Sequence, residues 1–162
     1  MAVIDMKNCK FYFEDGGSNR LELKVGEGSV TYSETKQREY LMEKGRIDTV
    51  RDGDQVPMDV SFQLRWTFLR SNTSGVPSPE DALKKRGEAA SWVTSSADAC
   101  EPYCVDLVAV HRPACSTEVI ERTELLYFRH EKLDHDFKAG NISCSGKCNA
   151  EEATNTRGDQ YS

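Results

Sequence analysis

Val56-Pro-Met-Asp-Val-Ser-Phe-Gln-Leu-Arg-Trp-Thr-Phe68 decides how this chain folds. Val56, Met58, Val60, Phe62, Leu64, Trp66 and Phe68 occupy every second position, with Pro57, Asp59, Ser61, Gln63, Arg65 and Thr67 between them. A period of two belongs to a β-strand that buries one face and wets the other. The expected strand is long beside the usual strand of roughly 5–6 residues. A strand of that kind suits a wide sheet or a barrel wall.

Working outward, Cys9-Lys-Phe-Tyr-Phe13 and Leu21-Glu-Leu-Lys-Val25 both alternate, and the Asp15-Gly16-Gly17-Ser18-Asn19 cluster between them predicts a β-hairpin. Another strand is expected from Ser29 to Glu34. Residues 35–46 are dense in charge around Tyr40, Leu41 and Met42, and fit either a short helix or a protruding hairpin. Ile47–Val50 fits a strand or a loop end. Asp52-Gly53-Asp54 is expected to turn the chain into the long strand.

Beyond Phe68 the composition changes. Ser71–Pro77 has the residues of a loop. Ser78-Pro79-Glu80-Asp81 predicts a helix start, with a Ser cap, Pro at the first helical position and acids at the positive end of the dipole. Ala82 and Leu83 are expected to face inward, Lys84, Lys85 and Arg86 to fill the last turn, and Gly87 to end it. Strands return at Tyr103–His111, Glu118–Lys132 and Ile142–Cys148, with a turn expected from Asp134-His135-Asp136 to Gly140-Asn141. The expectation is a mainly β protein: a β-sandwich or partial barrel of seven or eight strands with one short flanking α-helix. Residues 1–148 form the expected β-domain. Residues 149–162, polar and poor in aromatics, are the expected flexible C-terminal arm.

Length and charge bound the function. A chain of 162 residues suits one domain and buries roughly 68–70% of its unfolded surface. Mean hydropathy is -0.63, and no apolar run approaches the roughly 18–20 residues that span a bilayer, so membrane insertion is not expected. The first residues lack the basic-then-apolar build of a signal peptide, which predicts a cytoplasmic start. A net charge of -6 is the wrong sign for gripping phosphates.

No catalytic motif stands out. His111, His130 and His135 lack a Ser or Cys partner at motif spacing, and there is no G-x-S-x-G, H-E-x-x-H or P-loop. An enzyme is not expected, nor a cofactor. Six cysteines include two pairs of equal spacing, Cys100/Cys104 and Cys144/Cys148, with Cys9 and Cys115 outside them. They fit reduced, small buried side chains, three disulfides, or a four-thiolate zinc site. Two alternative functions follow from the last two options: a secreted disulfide-rich β-domain that binds a receptor, and a small zinc-binding β-module. Arg157-Gly-Asp159 in the tail is read as chance.

Leu23-Lys-Val-Gly-Glu-Gly-Ser-Val-Thr-Tyr-Ser33, Gly45-Arg-Ile-Asp-Thr-Val-Arg-Asp-Gly-Asp-Gln-Val-Pro-Met-Asp-Val-Ser-Phe62, Leu133-Asp-His-Asp136 and Ile142-Ser-Cys-Ser-Gly-Lys-Cys148 together resemble the phage tail tube (major tail) proteins. The resemblance covers most of residues 3–148. Its clearest piece is the Gly-Asp-x-Val-Pro stretch that leads into the alternating strand. It implies a β-sandwich with a flanking helix, assembled as six-membered rings whose inner sheets form a continuous barrel. Stacked rings make the hollow tube that delivers the genome. The implied partners are copies of itself, a tape-measure protein, a tail terminator and tail tip or baseplate proteins. The implied location is the virion tail, assembled in the bacterial host cytoplasm.

Under this reading Asp59, Ser61, Gln63, Arg65 and Thr67 line the lumen, through which DNA passes without specific binding. Sliding favours an acidic or neutral wall, so an acid is expected beside Arg65. The charged segment, with Arg38, Tyr40, Leu41, Met42 and Arg46, is the expected inter-subunit loop, because apolar residues ringed by charge suit an interface core with a polar rim.

Overall fold

In the computed structural model, residues 9–25, 29–65, 76–112 and 120–158 are described. The decisive strand is β6 (Met58–Arg65): Met58, Val60, Phe62 and Leu64 are buried, and Asp59, Ser61, Gln63 and Arg65 are exposed. Trp66, Thr67 and Phe68 of the expected strand lie outside the described residues, as does most of the expected loop 71–77. In chain order the other strands are β1 (Cys9–Glu14), β2 (Arg20–Leu23), β3 (Val30–Ser33), β4 (Lys36–Glu43), β5 (Arg46–Gln55), β7 (Val105–His111), β8 (Glu121–Asp136), β9 (Asn141–Cys148) and β10 (Thr154–Arg157). The protein is mainly β with one short helix, α1 (Pro79–Lys84).

The main sheet is antiparallel, in the order β2-β1-β7-β8-β9-β6-β3, with β10 on the early half of β8. Its ends come together. β2 leads toward β3 along the chain, the Arg65 N–H donates to the Lys24 carbonyl at 2.8 Å, and the Gln63 N–H donates to that of Ser29 at 3.1 Å. The sheet therefore curls part of the way to a barrel. Phe62 on β6 stacks against Phe13 on β1 (centroids 5.9 Å) and Phe128 on β8 (5.6 Å) inside the curl. Burying these rings with Met58, Val60 and Leu107 supplies the apolar driving force that holds the curl.

The helix starts as its cap residues dictate. Ser78 Oγ accepts from the Asp81 N–H at 3.1 Å, and Pro79 opens the first turn. Ala82 and Leu83 enter the core with Trp92. The end differs from expectation: Lys85 adopts the left-handed cap with φ 53°, so Lys85 and Arg86 follow the helix, and Gly87 begins a short 3-10 turn. Arg86 folds back instead to Asp81, Nε to Oδ1 at 3.0 Å, which neutralises an acid that is fully buried.

Asp15 ties the first hairpin to the segment after the helix. Its carboxylate accepts from the N–H groups of Gly17 (2.9 Å), Asn19 (3.0 Å) and Val93 (2.9 Å), and from Asn19 Nδ2 (2.8 Å). Burial alone would push this carboxyl up, but the hydrogen bonds outweigh it and hold the group below 3.8.

Two expected turns are corrected, and part of the expected arm forms a strand. Asp52-Gly53-Asp54 is not a turn but lies inside β5, where Asp52 pairs with Arg38 across the strands. Asp134-His135-Asp136 is the end of β8, in register with Ser143, Ile142 and Asn141, and the turn begins only at Phe137. In the expected arm, Thr154–Arg157 forms β10 on β8, and the Met58 N–H donates to the Ala150 carbonyl at 3.0 Å. In each case cross-strand partners outweigh a local preference of Asp, Gly or polar residues for irregular chain.

Candidate assembly faces

β9 sits between β8 and β6, and its register extends the alternation of β6. Asp59, Ser61, Gln63 and Arg65 stand opposite Lys147, Ser145, Ser143 and Asn141. Directly opposed residues share a face, so this is one wet surface. β8 adds Lys132, Asp134 and Asp136 opposite Ser145, Ser143 and Asn141. β3 adds Thr31, whose Oγ1 lies 2.9 Å from Ser61 Oγ, and Ser33 opposite Asp59. The structure thus brings Asp59, Ser61, Gln63 and Arg65 together; Thr67 is outside the described residues. The surface is dished, with a hollow of ≈ 190 Å³ lined by Ser61, Gln63, Asp134, Ser143 and Ser145.

Charge on this face is balanced. Lys147 Nζ and Asp59 Oδ1 are 2.7 Å apart, and Lys132 and Asp134 pair at 3.5 Å. The Asp59 hydrogen bond and charge raise Lys147 above its ordinary value. The acid expected beside Arg65 is not there: Arg65 faces Asn141 and makes no ion pair among the described residues. Lys147 takes the carboxylate instead, because it stands opposite Asp59. β9 and the end of β8 were the missed part of this face. The run Asn141-x-Ser143-x-Ser145-x-Lys147 carried the signal, as small polar residues at a period of two.

Among the described residues, the four strands β3-β6-β9-β8 have unpaired main chain on both flanks. β3 is the terminal strand of the sheet order. β8 pairs with β7 only as far as Phe128 and with β10 only from Glu121 to Glu124. From Arg129 to Asp136 its partner is β9 alone among the described strands. Open edges of this kind invite another chain.

The charged segment is a hairpin. β4 and β5 form a separate two-stranded sheet joined at Lys44-Gly45. Both turn residues have positive φ, 50° and 78°, as a tight two-residue hairpin turn requires. Register divides its faces. Tyr40 opposes Val50 and Met42 opposes Ile47, whereas Leu41 opposes Thr49 and Glu43 opposes Arg46. One face thus carries Tyr40, Met42, Ile47 and Val50, which are 59%, 58%, 68% and 54% exposed. Arg38 on that face pairs with Asp52, and Glu39 pairs with Arg51 on the other. The expected loop residues are therefore split: Tyr40 and Met42 share a face with Arg38, and Leu41 and Arg46 point the opposite way.

The described cysteines do not gather into one site, although Cys104 and Cys148 lie near enough to interact. Cys100 is exposed, while Cys104, Cys144 and Cys148 are buried. Cys144 and Cys148 lie on the same face of β9, about 13 Å apart at the rise of a strand, too far for one ion. Among the described residues no group of His, Cys, Asp or Glu could hold a metal, and Cys9, Cys100, Cys104, Cys144 and Cys148 form no disulfide. Cys115 lies outside them. Burial pushes the Cys144 and Cys148 thiols up to about 12, so they are inert at neutral pH. Among the described residues no helix is long and apolar enough to cross a membrane.

No protein-family model matches the chain, and none of the curated proteins matches it. Among solved structures, the fold is similar to the sheath/tube terminator, in its extended state, of an extracellular contractile injection system (PVC). The TM-score is 0.56 at 8% identity, over 96% of this chain and 98% of that one. A chain of the anti-feeding prophage (AFP) baseplate, six-fold symmetrised, matches with a TM-score of 0.45 and 11% identity over 99% of both chains. At these identities the likeness is one of fold.

Proposed function

We propose that the chain is a structural, non-enzymatic component of a phage tail or a tail-like injection particle. It assembles into rings, hexameric on the family resemblance, that surround a central channel. The observation that carries this is the four-strand unit β3-β6-β9-β8, which has a polar, charge-balanced face and, among the described residues, unpaired strands on both flanks. Joining β3 of one copy to the late half of β8 in the next removes both edges, and repeating the step closes a barrel. Asp59, Ser61, Gln63 and Arg65 then face the channel. With Asp59 neutralising Lys147, that wall offers few free cations to phosphates, so DNA slides.

Stacking of the rings builds the tube, and the β4–β5 hairpin is the element that reaches a neighbouring subunit or ring. The partners are further copies, a tape-measure protein inside, and terminator and tip or baseplate proteins at the ends. A second reading is a single ring that terminates a tube, which the likeness to the injection-system terminator favours. Negative-stain electron microscopy across a concentration series tests both. Long tubes support the stacked form, single rings support the terminator form, and a persistent monomer, alone and with its co-expressed tail proteins, overturns the proposal.

A further inference from the structure

The curled sheet leaves a gap between β3 and the β1–β7–β8 strands. It is an apolar cleft of ≈ 180 Å³, walled by Phe11, Val30, Leu107, Ala109 and Leu125. His111 closes it. This side chain is more than nine-tenths buried, and its Nε2 has no hydrogen-bond partner among the described residues. A buried, unpaired imidazole nitrogen costs free energy that an incoming polar group would recover. Glu121 stands in the lining as a carboxylate, and Cys9 as a thiol.

The same chain carries a surface of matching chemistry. The apolar hairpin face presents Tyr40 with Met42, Ile47 and Val50, all more than half exposed, and the turn beside them carries Lys44. The hairpin is a sheet of its own, hydrogen bonded to no other described strand. Eight residues of β4 extend it by roughly 26 Å, and every one of them is exposed.

We propose that the cleft is the socket for the hairpin of a second copy of this chain, with Tyr40 entering between Val30 and Leu107. A phenol hydroxyl both donates and accepts, so it satisfies His111 Nε2 in either tautomer. Lys44 in the hairpin turn approaches Glu121 at the rim. Hairpin and socket are different surfaces, so the contact is head-to-tail, the type that closes into rings or propagates along a filament. This assignment rests on the self-assembly reading above and names the surface that receives the hairpin.

Cys9 in the socket makes the test direct. In Met42→Cys protein, oxidation by added diamide joins the new thiol to Cys9 of the next copy, with two protons and two electrons passing to the diamide. The expected result is a ladder of covalent oligomers, absent from wild type, from Leu41→Cys on the opposite hairpin face, and from Met42→Cys/Cys9→Ser. Assembly should also slow maleimide labelling of Cys9 by at least about tenfold. Rings or tubes that give no Cys9-dependent ladder overturn the socket while leaving the ring reading intact. Cys9 that labels as slowly before assembly as after shows that its own chain fills the cleft, and overturns it too. Absence of any self-association removes the ring reading and the socket with it.

Discussion

Lys147 Nζ and Asp59 Oδ1 are 2.7 Å apart across β9 and β6, on the face that also carries Ser61, Gln63 and Arg65. Both side chains are about half exposed, so solvent screens the pair and its role is to balance charge rather than to hold the fold. Lys147→Ala should leave the melting temperature unchanged, measured by circular dichroism at 0.15 M salt. Asp59→Lys, in contrast, should let assembled particles retain DNA in a filter-binding assay where wild type does not, because it adds two uncompensated cations to the wall beside Arg65. Equal retention by both would remove the sliding argument.

Phe62 and Gln63 are neighbours on β6 with opposite fates. Phe62 is buried between Phe13 and Phe128, and Gln63 is exposed. Phe62→Ala should cost about 3–5 kcal/mol of unfolding free energy. Gln63→Ala should change it by no more than about 0.5 kcal/mol. Urea titration of the two variants measures the difference, and similar losses would mean that the faces are wrongly assigned.

The two faces of the β4–β5 hairpin should behave differently in assembly. Tyr40→Asp or Met42→Asp places a charge on the apolar face, so rings or tubes should fail while the monomer keeps its melting temperature. Leu41→Asp lies on the other face, opposite Thr49, and should assemble more nearly as wild type does. Sedimentation with electron microscopy reads both. An assembly defect confined to Leu41→Asp would place the contact on the wrong side.

Asp15 should make the protein acid-sensitive. Its folded-state value is held below 3.8 by hydrogen bonds from Asn19, Val93 and Gly17. The stabilisation is therefore fully present above the unfolded value and fades as pH falls through the folded one. Asp15→Asn should lose about 1–3 kcal/mol at pH 7 by disrupting the buried network, and should show a shallower decline below about pH 4. Chemical denaturation from pH 7 to pH 2.5 measures both effects. An unchanged acid slope would assign the sensitivity to other carboxylates.

Local chemistry in the sequence already determined much of this. The period of two set which face of β6 is buried, since a strand cannot expose Phe62 without burying Gln63. Ser78 and Pro79 determined where the helix starts, since the cap needs only its own next three residues. Tyr40, Leu41 and Met42 among charges marked the exposed hairpin, though not that Leu41 faces away from the other two. That division follows from strand alternation once β4 is known to be a strand; the register shift between Leu41 and Met42 decides that Ile47 opposes Met42, which no single strand reveals.

What the sequence could not decide were relations between distant segments. Asp134-His135-Asp136 has a turn composition, yet β8 continues through it because β9 supplies a hydrogen-bonding partner at each position. Likewise, only the tertiary fold brings Asp15 to the N–H of Val93, 78 positions away, and sets β9 between β6 and β8. The wet face, its open edges and the cleft at His111 all follow from that strand order. Pairing among distant strands is settled by the joint burial of side chains from all of them, and so belongs to the tertiary structure.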